Sequence, residues 1–311
     1  MTGAFLTALF FAGNAVCARR AALHYGGTKG NFLRLLLAAA LLGAWAHGAG
    51  QGLGGGAFAW FFVSGAVGFG LGGLTMFHAL PLIGSNLSML IVQCGSTVAA
   101  ASVEWLWLGA RLSPAQAALA ALTLVGVVVG LTRPTDPTRP TSPTARPRYT
   151  LGVALAVVSA CAQGGSAVIS RKAFAVLHGH GFSMDGATSA YQRALGGLAV
   201  ALLALLALLV VYVRPGIEKA PCAPEEQVPA MALPPWAWVL FNTLLGPVLG
   251  VTCYQWALRT TQAGLVLPIV ATAPLLTVPI ARALEHSRPT PRYWIGALLA
   301  VAGAAGLATV R

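Results

Sequence analysis

Charged side chains are scarce in this sequence. They make up 8% of its 311 residues, whereas 57% of the residues are hydrophobic; an ordinary soluble domain carries about 25% charged residues. A soluble globule of 31.8 kDa would need a charged surface to stay dispersed, and 26 charged residues cannot provide one. The composition therefore excludes a soluble globular protein and predicts an integral membrane protein.

Acidic residues are the rarest charged group, with seven in the whole chain. Only Glu104 and Glu285 approach an apolar run, and neither lies near the middle of one. A proton-coupled exporter of organic cations is expected to hold a carboxylate deep in a span, where it alternates between proton and drug. The scarcity of acids therefore disfavours a multidrug exporter of cations.

The motifs of catalysis, metal binding and nucleic-acid binding are also missing. The five cysteines show no CxxC or Cys/His spacing, and there is no GxSxG, HExxH or pair of acids. The net charge of +12 comes from basic residues scattered at the ends of apolar runs, without the clusters of a nucleic-acid surface. We therefore expect no enzyme, no metal, no cofactor and no nucleic-acid partner.

Long apolar runs fill the rest of the chain. A bilayer needs about 20 apolar residues per helix, and ten such runs are found: residues 3–23, 31–46, 57–80, 85–108, 114–131, 150–174, 187–213, 236–258, 264–284 and 292–310. The Pro- and Thr-rich stretch at residues 133–149 is typical of a solvated linker. It divides the chain into residues 1–132 and 150–311, with five predicted spans each.

The two halves align as copies of one unit. Matching stretches are GNAVCARRAALHYG at 13–26 with GSAVISRKAFAVLHG at 165–179, FLR at 32–34 with YQR at 191–193, and GFGLG at 68–72 with GPVLG at 246–250. Because each copy has an odd number of spans, the second enters the membrane from the opposite side. The prediction is an all-α membrane protein of ten transmembrane helices, arranged as two inverted five-helix repeats around a central cavity, a recurring transporter design.

Several of these stretches, in this order, resemble the EamA domain. They are FFAGNAVCARRA, FLR, FHALPLIGSNLSML and LGARLSPAQ in the first half, and YQWALRTTQAGLVLPIVATAPLLTVPIARALEHSRPTPRYWIGALLAVAGAAGL in the second. The resemblance covers nearly the whole chain. It implies the drug/metabolite transporter superfamily, with ten helices around a central cavity, and export of amino acids or other small metabolites across the cell (inner) membrane.

Candidate site residues are the polar or amphipathic side chains inside the apolar runs. Such a side chain either bonds to a neighbouring helix or points into a wet cavity, and both alternatives stay open for most of this set: Asn14, Arg34, His78, Gln93, Gln163, Ser166, Arg193, Tyr254, Gln255 and Trp256. Gln93 and Gln163 are the favoured cavity residues, because their amides could bind the two ends of an amino acid.

Arg34 and Arg193 occupy matching repeat positions. Each either extends to the membrane interface or forms a cationic site that attracts a carboxylate or phosphate. His78 could relay protons or could be structural. The glycines at 68, 70, 72 and 73, like those at 246 and 250, indicate close helix contacts or a hinge.

These features predict a secondary transporter, an exporter of amino acids or related metabolites by alternating access. Its partners are a small-molecule substrate and the lipid bilayer, and monomer and homodimer both remain open. The alternative is a flippase of lipid-linked substrates or another non-carrier membrane protein. The orientation of the chain in the membrane is also open. The positive charges that follow the first span, Arg19, Arg20 and Lys29, place the linker inside the cell. The resemblance instead implies cytoplasmic termini.

Overall fold

The computed structural model describes residues 2–108, 113–131, 145–213, 233–260, 269–286 and 289–309, and within them every regular element is helical. We number the helices α1 (Thr2–Tyr25), α2 (Gly27–Gly48), α3 (Phe58–Ile83), α4 (Ser85–Leu108), α5 (Pro114–Leu131), α6 (Ala145–Gly179), α7 (Gly186–Val213), α8 (Pro235–Thr243 continued by Leu244–Val248 and Leu249–Thr260), α9 (Ala273–Glu285) and α10 (Pro291–Thr309). Most of the predicted linker lies outside the described residues.

Two of these helices contain a π-helical stretch, Ala66–Gly72 in α3 and Leu244–Val248 in α8. In α8 the cause is Pro247, because its ring has no N–H to donate and displaces the carbonyl of the preceding turn. In α3 the π-helical stretch coincides with a run of glycines, which have a low propensity for the α-helix. The two stretches coincide with the glycine-containing segments that align between the halves, and π-helical turns occur often at functional sites.

Six of the helices are long and apolar enough to cross a membrane. They are Gly27–Gly48, Phe58–Ile83, Ser85–Trp107, Pro147–Gly179, Gly186–Val210 and Pro235–Ala257, and Pro114–Gly130 is a shorter apolar helix. In α1 the pair Arg19 and Arg20 lowers the hydropathy of the helix, and α9 has only 13 residues. The multi-pass character is thus supported by six helices, and the number of ten spans stays a prediction.

The predicted run at 264–284 is interrupted within the part that the structure describes. Residues 261–268 are not described, and a turn at Ala271 and Thr272 precedes α9. Thr272 donates its N–H to the Ile269 carbonyl at 3.1 Å. Pro274 sits in the first turn of α9, where its missing N–H is not needed. The turn at Ala271 and Thr272 therefore separates α9 from the residues before it.

Small residues bring the helices close together. At the contact between α5 and α10, a Cβ added at Gly303 would lie 2.6 Å from Thr123 Oγ1 and 2.8 Å from the Leu119 carbonyl oxygen. Gly126 and Gly296 likewise face the backbone of the opposite helix. Close packing of this kind drives the association of helices in lipid, because the lipid chains are themselves apolar and little is gained by burying apolar surface between helices.

Candidate functional site

Arg34 lies on α2 with its guanidinium inside the helix bundle. The residue is 7% exposed, Nη2 donates to Asn31 Oδ1 at 2.8 Å, and the guanidinium lies 5.0 Å from the ring centroid of Phe77 on α3. A guanidinium over an aromatic face is attracted to the ring. The side chain is therefore packed against α3 and does not extend to the surface.

Arg193 on α7 has a matching environment. It is also 7% exposed, Nη2 donates to Ser166 Oγ at 3.0 Å, and the guanidinium lies 4.7 Å from the ring centroid of Phe69 on α3. Ser166 belongs to a buried hydroxyl cluster, because Ser64 Oγ lies 3.0 Å from Ser166 Oγ and 2.7 Å from Ser170 Oγ. These contacts join α3, α6 and α7.

Both arginines lack an acidic partner among the residues that the structure describes, where the ion pairs are Arg19–Glu285 and Arg171–Glu104. The Nε atoms of Arg34 and Arg193 are buried and have no hydrogen-bond partner in the described part of the chain. A buried charge is costly unless it is paired and hydrogen-bonded. Two guanidinium groups with unused donors can therefore hold the oxygens of an anion.

The two arginines are linked through α3. Asn31, which accepts from Arg34, donates Nδ2 to the Phe69 carbonyl at 3.4 Å, and the Phe69 ring lies beneath Arg193. A chain of polar contacts thus runs from α2 past the π-helical stretch of α3 to α7 and α6. We call Arg34, Asn31, Phe69, Arg193 and Ser166 the arginine network.

Glycines of α3 provide the space for this network. A Cβ at Gly73 would lie 2.7 Å from Arg34 Nη2, and Cβ atoms at Gly68 and Gly65 would collide with Ser166 Oγ and the Arg193 carbonyl oxygen. The sequence indicates either close helix contacts or a hinge for the glycines of α3. The contacts at Gly68 and Gly73 support close helix packing.

Contacts between the halves recur in the register of the sequence repeat. Asn242 Nδ2 donates to Asn14 Oδ1 at 2.6 Å. The corresponding contact in the repeat is between Ser64 and Ser166. Asn14 and Ser166 are 152 positions apart, which is the shift of the stretch at 13–26, and Ser64 and Asn242 are 178 positions apart, which is the shift of the stretch at 68–72. Each pair joins the first helix of one half to the third helix of the other.

The backbones of the two arginines show the same correspondence. Thr243 Oγ1 donates to the Arg34 carbonyl at 3.3 Å, and Gly65, which is 178 positions before Thr243, faces the Arg193 carbonyl. The second helix of each half thus contacts the third helix of the other half.

Gln93 and Gln163, the favoured cavity residues, are both half-buried. Gln163 Nε2 lies 3.9 Å from Met76 Sδ and 3.4 Å from Ser159 Oγ, so its amide faces α3. No described contact joins either side chain to the arginine network. Whether they line a cavity stays a prediction.

The remaining candidates lie in different surroundings. His78 is exposed, and its ring contacts the Leu74 carbonyl at 2.8 Å and Thr28 Oγ1 at 3.5 Å. Tyr254 is half-buried beside an apolar cluster of α1 and α8, and it lies close enough to Arg193 to interact with it electrostatically. Trp256 is 48% exposed and faces Gly3 of α1. Gln255 is 2% exposed, and neither of its amide atoms has a hydrogen-bond partner among the described residues.

Asp185, outside the apolar runs, begins α7. Its Oδ1 accepts from the backbone N–H groups of Ala187 and Thr188, both at 2.9 Å, and from Trp45 Nε1 of α2 at 3.3 Å. Burial raises the pKa of this carboxyl, but the hydrogen bonds from Thr188, Ala187 and Trp45 outweigh burial and hold its pKa below the ordinary value. Asp185 is therefore an N-cap that fixes the start of the helix carrying Arg193.

Sequence reasoning missed several members of the site, chiefly Asn31, Ser64, Phe69 and Asn242. Ser64 and Asn242 had a usable signal, because both are polar residues in apolar runs at positions 178 apart. Phe69 had none, since an aromatic side chain in an apolar run is ordinarily a packing residue. Among the described residues, no group of His, Cys, Asp and Glu could hold a metal ion.

Comparison with known proteins gives a family and a fold. The model of the EamA-like transporter family matches residues 1–132 and 150–309. A solved structure described only as "Crystal structure of protein" is similar with a TM-score of 0.58 and 21% identity, over 98% of this chain and 96% of that one. No curated protein matches the sequence. At that identity the solved structure supports the fold alone.

Proposed function

Because the chain belongs to the EamA-like transporter family of the drug/metabolite transporter superfamily, we propose that it is a secondary carrier that exports amino acids or related small metabolites. The family is one of membrane transporters, which implies a bilayer and a small-molecule substrate. The finer proposal is export by alternating access across the cell (inner) membrane, without a cofactor.

The architecture that we propose is two inverted five-helix repeats around a central cavity. The matched contacts support it, because Asn14–Asn242 and Ser64–Ser166 relate the halves in both directions. In carriers of this design the substrate binds between the halves, near the bilayer midplane, and one half rocks against the other. The arginine network lies where helices of both halves meet.

The observation that carries the substrate proposal is the pair of buried arginines without an acidic partner in the described part of the chain. A substrate carboxylate would supply the missing negative charge, and its two oxygens match the forked donors of a guanidinium. The unpaired amide of Gln255 and the amide of Gln163 offer oxygen acceptors for a substrate ammonium group. An anionic or zwitterionic metabolite therefore fits better than a cation.

A ligand-binding screen tests this proposal. Purified protein is heated with a panel of anionic, zwitterionic and cationic metabolites, since a ligand that binds the folded state alone raises Tm. We expect stabilisation by a carboxylate-bearing compound and not by its carboxamide. In Arg193→Ala the affinity should fall at least about tenfold, because truncating one partner of a buried charge pair is costly.

The matched control is Lys172→Ala, since Lys172 is exposed on α6 and should leave binding unchanged. Arg193→Lys keeps the charge but loses the forked geometry, so its affinity should lie between those of the wild type and Arg193→Ala. If folded Arg193→Ala binds every stabilising ligand as tightly as the wild type, Arg193 has no part in recognition. Rapid scrambling of labelled lipid by reconstituted protein would favour the flippase alternative.

A further inference from the structure

We propose that the ion pairs Arg19–Glu285 and Arg171–Glu104 are two gates that open in alternation at opposite ends of the transport path. This inference rests on the proposed alternating-access function, but it concerns the contacts that hold each end shut. It assigns a conformational role to four charged residues outside the arginine network.

The two pairs join equivalent helices of the two halves. Arg19 on α1 and Arg171 on α6 are 152 positions apart, the shift that also relates Asn14 and Ser166. Arg19 pairs with Glu285 at the end of α9, at 3.4 Å, and Arg171 pairs with Glu104 near the end of α4. Each pair therefore joins the first helix of one half to the fourth helix of the other.

The pairs lie at opposite faces of the membrane in the proposed topology. Both arginines are in the C-terminal part of their helix, and α6 is the fifth helix after α1. Successive spans alternate in direction, so two helices whose numbers differ by five run in opposite directions. Rocking of one half against the other would therefore stretch one ion pair while it closes the other.

The first pair is much more firmly held than the second. The side chains of Arg19 and Glu285 are 17% and 3% exposed, against 59% and 26% for Arg171 and Glu104. Glu285 Oε2 also accepts from Ser85 Oγ at 2.7 Å, and Arg19 Nε donates to the Leu80 carbonyl at 3.3 Å. The end at Glu285 is thus sealed by buried polar contacts that join both halves.

Arg20 strengthens the same end. It is 1% exposed, its Nη2 donates to the Leu284 carbonyl, and its guanidinium lies 5.9 Å from the Trp238 ring centroid on α8. Its counterpart in the repeat, Lys172, is exposed. An exposed ion pair is worth little because water competes with it, whereas a buried and hydrogen-bonded pair is costly to break on one side. Both pairs are formed in the structure, and the end at Glu285 is held by more buried polar contacts than the end at Glu104.

Distances between spin labels test the alternation. In the full chain with its cysteines replaced, one label pair at positions 25 and 286 spans the end at Glu285, and another at 105 and 175 spans the end at Glu104. All four positions are half-buried or exposed. The cysteine-free chain is used only if it keeps the transport rate of the wild type.

Glu285→Gln should shift the 25–286 distance to longer values and the 105–175 distance to shorter values. The matched variant Glu104→Gln should leave the 25–286 distance short and broaden or lengthen the 105–175 distance. If Glu285→Gln fails to fold, Arg19→Lys serves in its place. Lysine keeps the positive charge but has no equivalent of the Nε–H that donates to the Leu80 carbonyl. The same reciprocal shift of the two distances is expected.

Distances that change at one end alone, or at neither end, in Glu285→Gln or Arg19→Lys would overturn the gates. The outcome is separable from that of the proposed substrate. Reciprocal shifts without binding of any carboxylate compound would leave the gates standing and contradict the substrate proposal. Carboxylate binding without reciprocal shifts would support the substrate proposal and contradict the gates.

Discussion

Gly65 allows α3 to touch the backbone of Arg193, and its replacement by alanine gives the sharpest prediction. A Cβ at Gly65 would overlap the Arg193 carbonyl oxygen and would also contact its Cα at 2.6 Å. Both neighbours are backbone atoms of α7 and cannot rotate away. The two helices must therefore separate, which also moves the Arg193 guanidinium from Ser166 and Phe69.

The expected cost follows from two opposing effects. Overpacking of a close contact costs about 1–3 kcal/mol, and a clash with backbone belongs at the upper end of that range. Replacing a helical glycine by alanine returns about 0.5–1 kcal/mol. We therefore expect Gly65→Ala to lower the free energy of unfolding by about 2 kcal/mol, and Tm by about 4 °C or more.

The matched control is Gly165→Ala on α6, where an added Cβ meets nothing within 4 Å. This variant should keep or slightly raise Tm. Both variants and the wild type are compared by thermal denaturation in one detergent, followed by the ligand screen. A Tm for Gly65→Ala equal to that of Gly165→Ala would refute the close contact between α3 and α7.

Three further predictions concern the start of α7, the contact between α5 and α10, and the hydrogen bond between Asn14 and Asn242. Asp185→Ala should lower stability by about 1 kcal/mol at neutral pH by removing the N-cap of α7. Because the folded pKa of Asp185 is depressed, its stabilisation is present above the unfolded value of about 3.9 and is lost as pH falls through the folded pKa; urea unfolding from pH 7 to 3 should show a weaker pH dependence in the variant. Gly303→Val should separate α10 from α5 and lower Tm further than Gly65→Ala, and an unchanged Tm would contradict their contact. Asn242→Ala should lower stability by about 1–2 kcal/mol by removing its hydrogen bond to Asn14, which a thermal shift would measure, whereas a stable variant would show that this bond does not couple the halves.

The helices could be predicted from the sequence largely because apolar runs and their breaks are local signals. Pro114 and Ser85 begin helices at the positions that the runs indicate, and α5 ends at residue 131 as expected. The turn at Ala271 and Thr272 within the ninth run could not be predicted, because a continuous hydropathy signal does not report a backbone interruption. The π-helical turns were also missed, since hydropathy does not report the number of residues per turn.

The candidate site was only partly predictable. Arg34, Arg193 and Ser166 stood out because charged and polar side chains are rare in apolar runs. Their partners Phe69 and Phe77 could not be chosen among the other aromatic residues, because a cation–aromatic contact depends on tertiary placement. The repeat register is the stronger guide to site residues, because it places the polar residues Ser64 and Asn242 at equivalent positions of the two halves.

The central claim, a carrier that recognises a carboxylate, is tested most directly by exchange in proteoliposomes. Vesicles are preloaded with an unlabelled metabolite, and uptake of the same labelled compound is followed without an imposed gradient. The account predicts accumulation that depends on the internal substrate, is absent for the carboxamide analogue, and is lost in folded Arg193→Ala. Equal accumulation of carboxylate and carboxamide, or full exchange by Arg193→Ala, would contradict it.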